Sequence, residues 1–110
     1  MMSPLNITRH DTSVGPVLRV AGDLDYGLAA ALRERIEALT LTPGQCLVID
    51  LAELEYCDST GITILLAARQ HAQAARADVV LAAVPTHFLR VLTLVGLDQV
   101  FTIRPGAQTD

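Results

Sequence analysis

Two short stretches hold most of the side chains in this chain that could do chemistry: Gly22-Asp23-Leu24-Asp25 and Tyr56-Cys57-Asp58-Ser59-Thr60-Gly61. The second sets an acid directly before two hydroxyls and a glycine, at the head of a segment with helical periodicity. An aspartate there can accept hydrogen bonds from the unpaired N–H groups of the first turn. Ser59 then takes the first helical position with its hydroxyl near the surface, and Gly61 lets another backbone or a bulky partner come close. A phosphate on Ser59 would meet the positive end of the helix dipole and its free donors. Its charge of about −2 would also stand beside Asp58, and near Asp23 and Asp25, and change the local field sharply. Such a modification spares the helix and alters what can dock on it. An N-cap followed by a tight turn, with no further role, is the other reading of the same four residues.

Other chemistries fail on residue type or spacing. A zinc site needs about four ligands at close spacing, whereas His10, His71 and His87 are scattered and neither Cys46 nor Cys57 has a near neighbour of ligating type. The apolar run Leu47-Val48-Ile49-Asp50-Leu51 reads as a strand, which would carry the two cysteines past the ~7 Å Cα separation of a disulfide; two free, buried or half-buried thiols are expected. Cys57 stands where a nucleophile elbow needs glycine, two residues before its serine. No histidine has an obvious path to Ser59, and no Gly-Lys-Ser or Gly-Lys-Thr phosphate loop is present. Asp50, near the end of a strand, suggests a phospho-accepting aspartate, but the lysine of such a site is missing because all eight basic residues are arginine. No catalytic residue, metal or cofactor is therefore expected, and the chain reads as a binding protein, not an enzyme.

Periodicity supplies the elements that must position these groups. Residues 5–11 and 16–22 read as strands joined by Thr12-Ser13-Val14-Gly15. Leu28, Leu32, Ile36 and Leu39 recur at helical spacing, with Asp25 placed as the cap. Cys46–Leu51 is an apolar strand, and a second helix runs from Ser59 to about Arg76 with Asp58 as its cap. On that helix Ile64, Leu65, Ala68, Ala72 and Ala75 share one arc, the natural core face. Ile62 and Leu66 fall on another arc among Ser59, Thr63, Gln70 and Gln73, as a docking surface or as residues covered by a neighbouring loop. Val79–Ala83 is a further buried strand. Pro85 opens a third helix, Gly96 closes it, and Phe88, Val91, Leu92 and Val95 mark its inward face. Gln99–Ile103 is a short last strand.

The resulting order, β-β-α-β-α-β-α-β, predicts an α/β fold with a mixed, mainly parallel sheet, right-handed crossovers and the first strand antiparallel at an edge. Functional groups in such sheets gather beyond the carboxyl ends of the strands, where both chemistry-bearing loops fall.

Composition narrows the partners. With 110 residues, 51% hydrophobic and 18% charged, the chain is expected to form a single domain over 1–110 with its core from about 5 to 103. Eight arginines against twelve acids leave a net charge of −4, which speaks against nucleic acid and against anionic membrane surfaces. The uncharged stretch Val79–Leu89, interrupted by Pro85, is far short of the ~20 apolar residues of a spanning helix, so no membrane insertion is expected. No export signal is visible at the N-terminus. A cytoplasmic protein is expected.

Asp58-Ser59-Thr60-Gly61-Ile62, preceded by a Val-Ile-Asp-Leu strand and the Gly22-Asp23-Leu24-Asp25 loop, resembles the STAS domain family, and within it the single-domain bacterial anti-sigma factor antagonists. The resemblance runs from about Leu5 to Ile103. It implies a protein-binding switch: binding of an anti-sigma factor that is also a serine kinase releases a sigma factor, phosphorylation of the matching serine ends the complex, and a metal-dependent, PP2C-type serine phosphatase restores it. Residue by residue, it makes Ser59 the phosphoacceptor, with Thr60 second to it, and Asp58 the flanking acid. Asp23 and Asp25 become the neighbouring acids, and Gly61, Ile62, Thr63 and Leu66 join Thr60 on the partner surface. Two features depart from the family. Leu28 stands where a threonine is common, and a fourth helix after the last strand is not evident, which would leave one sheet face less covered and allow a homodimer. A STAS scaffold, or an accessory subunit of a stress-signalling or lipid-transport complex with no sigma-factor partner, shares the same motif.

Overall fold

A computed structural model describes residues 6–105, the side chains of Tyr26, Gly27, Leu28 and Pro105 excepted. Leu5 and the side chain of Leu28, both used above, thus lie outside the described residues. The elements are β1 (Asn6–Thr12), β2 (Gly15–Leu24), α1 (Tyr26–Glu37), β3 (Cys46–Asp50), β4 (Leu54–Cys57), α2 (Ser59–Ala74), β5 (Asp78–Val84), α3 (Thr86–Leu94), a 3-10 turn (Leu97–Gln99) and β6 (Thr102–Pro105). The sheet runs β1-β2-β3-β5-β6, with β4 paired to β2 off that path. β1 is antiparallel to β2 at the edge, and every other pairing is parallel. The mixed, mainly parallel sheet agrees with expectation.

Alternation along the strands separates two faces. Leu18, Ile49 and Leu81 are neighbours in register and fully buried. They share one apolar cluster with Leu32 and Ile36 of α1, Leu65 and Ala68 of α2, and Phe88 and Leu92 of α3. All three helices therefore bury against the same face. A sheet crossed repeatedly in one direction by right-handed connections puts its helices on one side, as here. Full burial of each such leucine or phenylalanine stabilises the fold by roughly 1.5–3 kcal/mol.

Three expectations need correction. β4 is a sixth strand where a loop is expected. It has four residues, two of them exposed, and Glu53 and Glu55 mask its alternation. The last strand begins at Thr102, because Leu97–Gln99 first coils into a 3-10 turn. Finally, α3 is rotated relative to its predicted face. Phe88 and Leu92 are buried and Leu89 packs half-buried beside them, while Val91 and Val95 are 36% and 58% exposed. The apolar arc of this helix is wider than the part the sheet covers, so periodicity alone does not say which of its members are buried. Val95 caps the helix just before Gly96, whose φ of 81° ends it. Among the described residues no helix is long and apolar enough to cross a membrane.

Candidate functional site at the head of α2

The site is built where β2 and β4 end side by side. Asp23 pairs in register with Tyr56 and Leu24 with Cys57. The Gly22 amide donates to the Glu53 carbonyl at 2.9 Å, and the Asp58 amide donates to the Leu24 carbonyl at 3.3 Å. Backbone pairing thus holds the Asp23–Asp25 turn against the turn that starts α2. Asp25 sits immediately before α1, and its carbonyl accepts the Ala29 amide at 2.9 Å. Asp58 occupies the equivalent place before α2. The two helices start next to each other because their parent strands are neighbours.

Asp58 has extended backbone, and its Oδ1 accepts from the Thr60 amide at 2.9 Å and the Gly61 amide at 3.2 Å. Its carbonyl accepts the Ile62 amide at 3.2 Å. Two otherwise unpaired donors of the helix are satisfied by one carboxylate, which is the physical content of an N-cap. Ser59 follows as the first helical residue and is exposed. One turn on, the exposed Thr63 donates its hydroxyl to the Ser59 carbonyl at 3.1 Å. Asp23, Asp25, Asp58 and Thr60 are half-buried around them.

The remaining residues of the expected surface divide. Ile62 and Leu66 are half-buried and pack against the core cluster, so they show only an edge to solvent. Gly61 is buried, and here the expectation changes: the group that comes close is the chain's own. A Cβ at Gly61 would run into the Cys57 sulfur and the Leu24 side chain. Gly61 lets the first turn of α2 lie down on β2 and β4 and adds no side-chain surface for a partner. Tyr56 was missed. It is 52% exposed on β4 and in register with Asp23. The alternation of buried Leu54 with exposed Glu55 was the faint signal of the strand that carries it.

Both cysteines are free. Burial pushes the Cys57 thiol up to about 12, helped by the negative charge of Asp58. The thiol donates to the Asp58 carbonyl at 3.5 Å. Cys57 is therefore a protonated packing group at neutral pH, with little thiolate to act as a nucleophile. Burial also raises Cys46, opposed by Arg104 and reinforced by Asp78. What the site offers chemically is an uncovered hydroxyl on a rigid helix head, ringed by carboxylates.

Comparison with known proteins agrees with this geometry. The family model described as "Mlab, STAS domain" matches residues 7–105. The chain is 33% identical over 100 residues to the anti-sigma-F factor antagonist RsfB of Mycobacterium tuberculosis, covering 90% of this chain and 80% of that protein. It is 29% identical over 85 residues to the anti-sigma-B factor antagonist of Listeria monocytogenes, covering 77% of this chain and 75% of that one. The crystal structure of an anti-sigma factor antagonist from Mycobacterium paratuberculosis superposes with a TM-score of 0.78 at 29% identity, over 96% of this chain and 91% of that one. With its sheet order, its capped helix head and these matches in accord, the chain belongs to the STAS domain family.

Proposed function

We propose that the protein is an anti-sigma factor antagonist: it binds an anti-sigma factor through the Ser59 end of the domain and so frees a sigma factor in the cytoplasm. One observation carries the reading. Ser59 is exposed at the first position of a helix whose cap, Asp58, already occupies the Thr60 and Gly61 amides. The relatives named as antagonists support it. On this reading the partner is also a serine kinase. Ser59 Oγ attacks the γ-phosphorus of ATP, its proton leaves to the kinase's base, and ADP departs. A PP2C-type phosphatase hydrolyses the ester, returning the serine and inorganic phosphate. Thr60, half-buried, is the second choice of acceptor.

Electrostatics explains why phosphate would end the complex. The first-turn donors that could neutralise it are shared with Asp58, and Asp23 and Asp25 add like charge nearby. A surface matched to the unmodified acidic rim then faces about two further negative charges. The domain supplies no catalytic group in this cycle; it is the substrate of both enzymes.

The test mixes the purified chain with candidate anti-sigma factor kinases and ATP and reads intact mass and complex formation. A single phosphoryl group that is absent from Ser59→Ala, with loss of the complex on modification, is expected. Failure of the unmodified chain to bind any anti-sigma factor, or equal modification of Ser59→Ala, overturns the reading. A second reading, a scaffold or accessory subunit in a permanent complex, is favoured by the exposure of Val91, Leu94 and Val95 on α3. A stable complex indifferent to ATP is its signature.

A further inference from the structure

The sheet face opposite the helices is built from residues that the Ser59 end does not use. Val17 of β2 and Val48 of β3 are half-buried neighbours in register across it, flanked by Val80 of β5, which is already buried within the single chain. In the next row along the strands, Arg19 is in register with Asp50, and Asp50 with Ala82. Arg19 reaches Glu53 at 3.6 Å, with both side chains more than half exposed. With Thr8 and Ala21, this pair lines an open hollow of about 270 Å³. One carboxylate oxygen of Asp50 accepts the Ala52 amide at 3.0 Å, which leaves the other for a further partner.

We propose that this face binds the same face of a second copy of the chain, about a two-fold axis that runs along the strands between β2 and β3. Such an axis exchanges β2 with β3. It sets Val17 of each copy against Val48 of the other, and Arg19 of each against Asp50 of the other. Two apolar contacts and two ion pairs thus follow from one register relation, as an isologous contact requires. Strands of the two sheets stay nearly aligned, the usual geometry of sheet-on-sheet packing.

Charge selects this occupant. The row holds opposite charges at adjacent positions, so it complements itself, whereas the Ser59 end carries Asp23, Asp25 and Asp58 and repels its own copy. Five strands about 4.8 Å apart and some 15 Å long offer a small patch, below the ~800 Å² per partner of a standard interface. The dimer is accordingly weak, with dissociation on the order of 10–100 µM. The contact goes beyond the sigma-factor reading and leaves Ser59 uncovered.

Sedimentation velocity of the full chain from about 5 to about 500 µM tests it. The mean mass should rise toward that of a dimer across that range. Val48→Arg, Arg19→Asp and Asp50→Arg should each hold the chain monomeric with an unchanged circular dichroism spectrum. The double variant Arg19→Asp/Asp50→Arg should regain the dimer, because the swap restores both pairs. A wild type that stays monomeric throughout overturns the proposal, and so does a dimer that survives both Arg19→Asp and Val48→Arg. Should a single variant unfold, the double variant decides: folded and monomeric, it too overturns the contact.

Discussion

The amide of Asp58 donates to the carbonyl of Leu24 at 3.3 Å, so the cap of α2 is hydrogen-bonded to the turn that leads into α1. Thirty-four positions apart in the chain, the two acidic loops become one rim through this bond and the β2–β4 pairing beside it. The carboxylate side of Asp58 faces the other way, into the first turn of its own helix. One residue therefore ties the loops together through its backbone and stabilises the helix head through its side chain.

Asp58→Ala should lower stability by about 1 kcal/mol, since both side-chain cap bonds vanish while the amide–Leu24 bond remains. Asp58→Asn should recover most of the loss, because its carbonyl oxygen caps as well. Urea denaturation of the three proteins separates the cases. A midpoint unmoved by the alanine change would show the cap to be idle.

Gly61→Ala should cost more, about 1–3 kcal/mol, by forcing a methyl into the Cys57 sulfur and Leu24. Cys57→Ala in the same chain should return part of it, as neighbours in contact are not additive. Leu24 still stands in the way, so recovery will be incomplete. Equal losses for the single and double variants would mean that the sulfur is not the obstacle.

The raised thiol predicts a pH dependence. Cys57 is pushed from 9.0 to about 12 in the fold, so the unfolded chain releases this proton first. Stability linked to it is complete below pH 9 and is lost as pH rises from about 9 to 12. Cys57→Ala should flatten that part of the curve of denaturation midpoint against pH. Alkylation at pH 8 should likewise be slow at Cys57 until the protein is unfolded.

Ser59→Asp should weaken the anti-sigma factor complex at least tenfold while moving the thermal midpoint by no more than about 2 °C, because helix N-termini tolerate negative charge. Calorimetric titration and a melting curve read the two effects separately. A collapsed fold would make the position structural.

Thr63→Arg is the cleaner probe of the docking surface. Thr63 is exposed one turn from Ser59, so the change should abolish binding and leave stability within about 0.5 kcal/mol. Ile62→Arg should reduce binding as well, but with a measurable loss of stability, since Ile62 packs against the core. Unaltered affinity in both would move the interface elsewhere.

The chemistry of the site was legible before any fold was known. Asp-Ser-Thr-Gly before a periodic segment states a cap, an adjacent hydroxyl and a glycine, and local hydrogen bonding alone makes the first of these true. The buried arc of α2 was equally plain, because Ile64, Leu65, Ala68 and Ala72 alternate with polar residues at helical spacing.

Tertiary structure decided what local pattern cannot carry. β4 has only four residues and two acids around its alternation, and it is a strand because the end of β2 offers it a hydrogen-bonding edge. Which apolar residues of α3 are buried was set by the sheet beneath it, as its apolar arc is wider than the part the sheet covers. Gly61 faces its own Cys57, since only the folded chain brings β4 under the helix head. Periodicity reports which residues avoid water; which neighbours they meet depends on strand pairing between distant segments, and that is where this chain joins its two acidic loops into one surface.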